Sequence, residues 1–289
     1  MDNVLLLRSP NIDGPDKYEF ALRAAGYYSL SVPALETVLV NGESLRDIVQ
    51  KDPKELELSG VVITSSRSCE AWRETVQSLV AESPTADWST LPFYVVGQAT
   101  ATSLEEINKV AGKTMLAPRN ILGGSETGTG EKLAHFILED LKPHTPALEH
   151  PVKLLYLTGD KNRDVLPNIL RGGGIDLQPL QVYQTQGAST FPQDLDNAMN
   201  AVPDKSRCWW IVYFAPSAAD FVTPVLRNRF EIPDPNSQLF ATKIAAIGPT
   251  TSIFLRDELH LRVDVLSPKP NPESLALSIH NFDSRQPVV

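Results

Sequence analysis

Short apolar runs alternate with amphipathic stretches along most of the chain. Residues 4–7, 60–63, 93–96, 153–157, 209–214 and 244–247 read as strands. Apolar residues at helical spacing follow in 17–25, ended by Gly26, in 68–80, and in 101–110 after a stop at Gly97. The strand runs are apolar at nearly every position, the mark of burial on both faces. Strands of that kind separated by helices form a parallel sheet covered on both sides. Two extended, proline-containing pieces, 29–40 and 177–185, are read either as inner strands or as crossings between domains, and periodicity leaves both open. The proline-bearing stretches 84–92, 142–151 and 233–236 read as loops, the second as an exposed connection.

The pattern also repeats. Leu5-Leu6-Leu7 corresponds to Leu155-Tyr156-Leu157, and Val95-Val96-Gly97 to Ala246-Ile247-Gly248. Leu116-Ala117-Pro118-Arg119-Asn120 corresponds to Leu266-Ser267-Pro268-Lys269-Pro270. Each pair lies about 150 residues apart, one domain length. Matches in the same order on the same strand–turn–helix punctuation imply two copies of one doubly wound α/β domain.

Composition narrows the function classes. The 289 residues are 42% hydrophobic and 21% charged, with a formal net charge of −9. That acidic balance opposes a non-specific nucleic-acid binder and favours a monomer. The longest apolar run, 209–215, is strand-sized, so no membrane span is expected. The opening Val4-Leu5-Leu6-Leu7-Arg8 has no basic flank and no cleavage site behind it, which leads us to expect a cytoplasmic protein. Cys69 and Cys208 form no CxxC, and no two of His135, His144, His150, His260 and His280 share a metal-binding spacing, so no metal is expected. Gly123 to Gly130 lacks the Lys-Ser/Thr of a phosphate loop, and Gly172-Gly173-Gly174 reads as a helix C-cap; both are assigned to structure.

Hydroxyl-rich turns directly after strands carry more information: Thr64-Ser65-Ser66-Arg67, Gly97-Gln98-Ala99-Thr100, Ala215-Pro216-Ser217 and Gly248-Pro249-Thr250-Thr251. Singly, each is an ordinary helix cap. Two per copy, at the carboxyl ends of strands where open α/β sheets bind ligands, they point to an anion-binding cleft. Arg8, Arg67, Arg119, Lys161, Arg163 and Lys269 lie near such turns, and Arg67 and Arg163 follow a strand by only a few residues. Tyr183, in Val182-Tyr183-Gln184-Thr185, reads by itself as a packed aromatic.

Taken in order, Ile63-Thr64-Ser65-Ser66-Arg67, Tyr94-Val95-Val96-Gly97-Gln98-Ala99-Thr100-Ala101, Val182-Tyr183-Gln184-Thr185, Ala245-Ala246-Ile247-Gly248-Pro249-Thr250-Thr251 and Ser267-Pro268 resemble uroporphyrinogen-III synthase across essentially the whole chain. Ser66 stands where that family often has proline, and Ala215 where serine is frequent. The resemblance implies two similar flavodoxin-like parallel-sheet domains, 1–31 with 186–289 and 38–178. Two extended crossings, 32–37 and 179–185, would join them, with the active cleft between the domains.

The activity implied is cyclisation of the linear tetrapyrrole hydroxymethylbilane to uroporphyrinogen III, with loss of water and inversion of ring D and without a cofactor. By that resemblance Tyr183 is a hydrogen-bond donor or general acid to the departing hydroxyl. Thr64, Ser65, Arg67, Gln98, Thr100, Arg163, Ser217, Gly248, Thr250 and Thr251 are candidate contacts for the substrate's carboxylates. The competing expectation is a non-catalytic two-lobed protein that binds a small polyanion; a phosphate-using transferase lacks the loop it would need.

Overall fold

The structure is a computed structural model describing residues 1–11, 13–82, 85–110, 114–142, 152–237 and 241–285. The connection expected at 142–151 lies outside the described residues from 143 onward, as does the start of the 84–92 loop. Elements are numbered in chain order. The chain forms two compact units, Met1–Glu36 with Gln186–Val289, and Thr37–Thr185.

The first unit holds a five-stranded sheet of β1 (Asn3–Leu7), β2 (Tyr28–Ser31), β10 (Trp209–Tyr213), β11 (Thr242–Ala246) and β12 (Val265–Leu266), in the order β12-β11-β10-β1-β2. All its pairings are parallel. Leu5, Leu7, Ile211 and Tyr213 face one layer, made by α7 (Phe191–Ala201), α8 (Pro216–Leu226) and α9 (Pro249–Asp257). Val4, Leu6, Trp210 and Val212 face the other, made by α1 (Lys17–Ala24) and α10 (Pro272–Arg285).

The second unit repeats this plan with β4 (Leu58–Ile63), β5 (Pro92–Val95), β6 (Asn120–Leu122), β7 (Lys153–Thr158) and β8 (Asp176–Gln181), in the parallel order β6-β5-β4-β7-β8. One face packs on α2 (Gly42–Val49), α3 (Ser66–Val80) and α4 (Gly97–Val110); the other packs on α5 (Gly130–Leu141) and α6 (Val165–Gly172). Strands sandwiched in this way need apolar residues at successive positions, which is why they read as continuous runs.

Each unit takes the first two strands of one sequence half and the last three of the other. The sequence repeat is real, since Leu5 on β1 and Leu155 on β7 hold the same place in their sheets, but neither unit coincides with one repeat. The two extended pieces each divide between a sheet and a ribbon. Each starts as an edge strand, β2 or β8, and continues into one strand of a two-stranded ribbon, β3 (Leu35–Leu39) with β9 (Tyr183–Gly187). The chain passes from one unit to the other within both ribbon strands.

The first of the expected helices begins at Lys17 as read, but α3 and α4 begin earlier than periodicity indicates. Ser65 accepts a hydrogen bond from the Ser68 N–H at 3.3 Å and starts α3 at Ser66, while Gly97, at φ 74°, opens α4 directly after β5. Gly173 caps α6, as expected.

A buried polar network fastens α10 to its sheet. Lys243 Nζ lies 2.5 Å from Asp283 Oδ1 and 3.6 Å from Asp2 Oδ2, while Asp283 Oδ2 accepts from the Tyr27 hydroxyl at 2.7 Å and Trp210 Nε1 at 3.0 Å. Removing this carboxylate leaves three buried donors short of an acceptor. Asp283→Ala is therefore expected to cost about 2–4 kcal/mol, read as a lower urea midpoint. An unchanged midpoint would mean that the network does not hold α10.

Candidate functional site

Parallel sheets gather the free ends of their strands at one edge, facing the helix N-termini that follow. In the second unit that edge encloses a cavity of about 530 Å³. Its wall is built from Thr64 and Ser65 after β4, Val96 after β5, the start of α5 (Gly128 to Glu131), Tyr156 on β7, Lys161, Asn162 and Arg163 of the β7–α6 turn, Val165 and Leu166 of α6, and Tyr183 at the start of β9.

Tyr183 reaches the cavity because Gly159 has no side chain. A Cβ on Gly159 would collide with Cε2 and Cζ of the Tyr183 ring and lie 2.8 Å from its hydroxyl. Asn162 Nδ2 donates to the Gly159 carbonyl at 2.8 Å and fixes the turn against which the phenol lies. The ring edge packs on the core beside Val182, and the hydroxyl makes no hydrogen bond among the described residues.

Of the sequence-derived candidates, Thr64, Ser65, Arg163 and Tyr183 come together here. Arg67 does not line the cavity; it is exposed on the first turn of α3, 3.5 Å from Glu70. Gln98 is exposed at the start of α4 and donates to Thr102 at 3.5 Å. Thr100 is buried, its carbonyl accepting from the Cys69 thiol at 3.7 Å. Burial pushes that thiol up to about 12, so Cys69 stays protonated at neutral pH. In the other unit, Ser217 and Thr250 are exposed in the first turns of α8 and α9, Gly248 is the N-cap of α9, and Thr251 is buried. Among the described residues no group of three or more His, Cys, Asp or Glu is placed to hold a metal ion.

Two parts of the wall escaped the sequence reading. The glycine-rich segment 123–130 reads from sequence as wholly structural, and its first half does serve structure. Thr127 Oγ1 donates to the Val95 carbonyl at 2.9 Å and accepts from the Gly97 N–H at 3.3 Å. Its second half, Gly128-Thr129-Gly130, forms the cavity wall at the N-terminus of α5. From the sequence Tyr156 reads as a strand residue only. The available signal was the repeat itself, which sets Tyr156 opposite Leu6.

The first unit has a cavity of about 540 Å³ at the matching edge, lined by Arg8, Asp16, Lys17, Tyr18 and Pro272 among others. There the cation is already engaged: Arg8 Nη1 lies 2.6 Å from Asp16 Oδ2, and its guanidinium sits 5.0 Å from the Tyr18 ring centroid and 5.6 Å from that of Phe214. Burial acts to raise the Asp16 pKa. The Arg8 hydrogen bond and the backbone N–H groups of Asn11 and Glu19 outweigh it and hold the carboxyl below its ordinary value. The unfolded chain thus binds this proton more readily than the folded one. The stability contributed by Asp16 is full above the ordinary carboxylate range and fades as pH falls through its folded value. Asp16→Asn is expected to flatten the acid limb of the stability–pH curve below about pH 4, as measured by thermal unfolding.

The comparisons with known proteins agree along the whole chain. The family model described as uroporphyrinogen-III synthase HemD matches residues 16–276. The uroporphyrinogen-III synthase of Saccharomyces cerevisiae is 30% identical over 281 residues, covering 96% of this chain and 96% of the relative. That of Schizosaccharomyces pombe is 31% identical over 290 residues, covering 98% of each. The solved uroporphyrinogen-III synthetase of Helicobacter pylori is 18% identical with a TM-score of 0.41, covering 99% of this chain and 100% of that one. The chain belongs to the uroporphyrinogen-III synthase family.

Proposed function

We propose that the chain cyclises hydroxymethylbilane to uroporphyrinogen III, and that the cavity of the second unit receives the hydroxymethyl end of the substrate. The observation that carries this reading is Tyr183, a phenol whose hydroxyl has no partner among the described residues, in a cavity that also presents Arg163, Lys161, Thr64 and Ser65. The relatives in this family are named as enzymes, so a non-catalytic polyanion binder is set aside.

In this mechanism the Tyr183 hydroxyl donates its proton to the departing hydroxyl, which leaves as water. The pyrrole left behind becomes an electron-poor azafulvene, its positive charge stabilised by the electron-rich ring. Its methylene carbon then bonds to the substituted carbon of ring D, giving a spiro centre. One bond at that centre breaks and re-forms at the other side of ring D, which inverts the ring, and loss of a proton restores the aromatic pyrrole. The substrate supplies the electrons, and the protein supplies position. A floppy chain left to itself closes to the wrong isomer, so orientation is the main contribution.

Arg163 and Lys161 meet carboxylates at the rim, and Thr64 and Ser65 donate from the turn after β4. Arg67, Gln98, Ser217, Gly248 and Thr250 are proposed as further, individually modest contacts, while the buried Thr100 and Thr251 serve helix packing in this reading. A cytoplasmic monomer working without a cofactor fits the same proposal.

Freshly generated hydroxymethylbilane incubated with the protein should yield predominantly the type III isomer, and Tyr183→Phe should lower the single-turnover rate by about a hundredfold. A type I mixture matching the buffer blank would end the assignment, and an unchanged Tyr183→Phe rate would remove the proton-donor role. Gly159→Ala should displace the phenol and lower the same rate about tenfold, at a stability cost of about 1–3 kcal/mol. Combined with Tyr183→Phe it should add no further rate loss; full additivity would show that Gly159 does not act through Tyr183.

A further inference from the structure

Buried tyrosines in this protein engage their hydroxyls. Tyr94 donates to Asp140 at 2.7 Å, Tyr27 to Asp283 at 2.7 Å, and Tyr213 pairs with Thr223 at 3.2 Å. Tyr156 does not. It is 5% exposed in the middle of β7, with its ring in the α5–α6 core, and its hydroxyl makes no hydrogen bond among the described residues. The fully buried side-chain oxygens without a partner among the described residues are those of Ser31, Thr158 and Ser252, so the Tyr156 hydroxyl is not sealed in the core but opens toward the cavity that its residue lines. Packing does not require the hydroxyl either: the matching position of the other repeat is Leu6, fully buried in an equivalent strand.

The same cavity wall contains the N-terminus of α5, a twelve-residue helix. Thr129 Oγ1 takes the Lys132 N–H at 3.3 Å, which leaves the N–H groups of Gly130 and Glu131 without acceptors inside the helix. The charged groups facing this space are Lys161, Arg163 and the carboxylate of Glu131, so the cations outnumber the anion.

Building on the activity proposed above, we infer that Tyr156 and the N-terminus of α5 form a subsite for one carboxylate arm of the substrate, with the Tyr156 hydroxyl donating to the carboxylate. The unpaired O–H is held ready for the ligand, and the first N–H groups of α5 supply the remaining donors. Tyr156 is then a binding residue separate from Tyr183, which acts on the departing hydroxyl.

The test is Tyr156→Phe in the full chain, a change that removes the hydroxyl and keeps the ring packed in the core. Expected are a KM for hydroxymethylbilane raised about tenfold with a smaller change in kcat, and a thermal midpoint equal to or above the parent's. Anaerobic titration with uroporphyrinogen III, followed by tryptophan fluorescence, should show affinity weakened by a similar factor. A lowered midpoint with KM unmoved would make the hydroxyl structural and overturn the subsite. Equal affinities in the titration, or no binding by either protein, would overturn it as well. The isomer made by the parent protein in the same assay reports separately on the proposed activity: type III product beside an unaltered Tyr156→Phe KM would sink the subsite alone.

Discussion

A parallel strand covered on both faces has only its two ends left for polar groups. That constraint shapes each unit here. Val61, Val62 and Ile63 are all fully buried, so beyond Ser59 near its start the strand carries no hydroxyl until Thr64 and Ser65, where it stops. The carboxyl ends carry the turns and helix N-termini, with their unpaired N–H groups and positive ends, and both cavities described above lie there. At the opposite edge, the network of Lys243, Asp2 and Asp283 serves to anchor a helix.

The two copies have spent the same edge differently. In the first unit Arg8 is held by Asp16 and stacked near Tyr18 and Phe214, so the cation is part of the scaffold. In the second, the position that matches Arg8 is Thr158, and the cations have moved onto the exposed β7–α6 turn as Lys161 and Arg163. An exposed surface cation is available to an incoming anion in a way that a paired and stacked one is not.

The strand β9 shows how small residues place large ones. At one end Tyr183 lies against Gly159; at the other, a Cβ on Gly187 would collide with the ring of Phe221. Glu36 completes the second attachment by accepting from Gln186 Nε2 at 3.1 Å and the Ser189 N–H at 3.0 Å, and these bonds hold its carboxyl below the usual range. Each contact pairs residues far apart in sequence, and no local pattern announces it.

The amino-acid order alone determined the fold class, the six long apolar strands and the repeat. Continuous apolar runs such as 4–7 and 153–157 have one stable environment, a sheet covered on both sides. It also determined that hydroxyl turns follow the strands, because Thr64-Ser65 stands directly after an apolar run and before a helix. Tertiary structure alone decided which of those turns share a cavity, that Tyr156 and the start of α5 belong to its wall, and that Arg67 and Gln98 do not line it. It also decided that 29–40 and 177–185 divide into edge strand and ribbon. The reason is physical. Burial and capping are properties of neighbours in sequence, which periodicity records, whereas a binding wall is made by side chains that meet only after distant strands have paired, and a glycine's meaning depends on the ring that comes to rest against it.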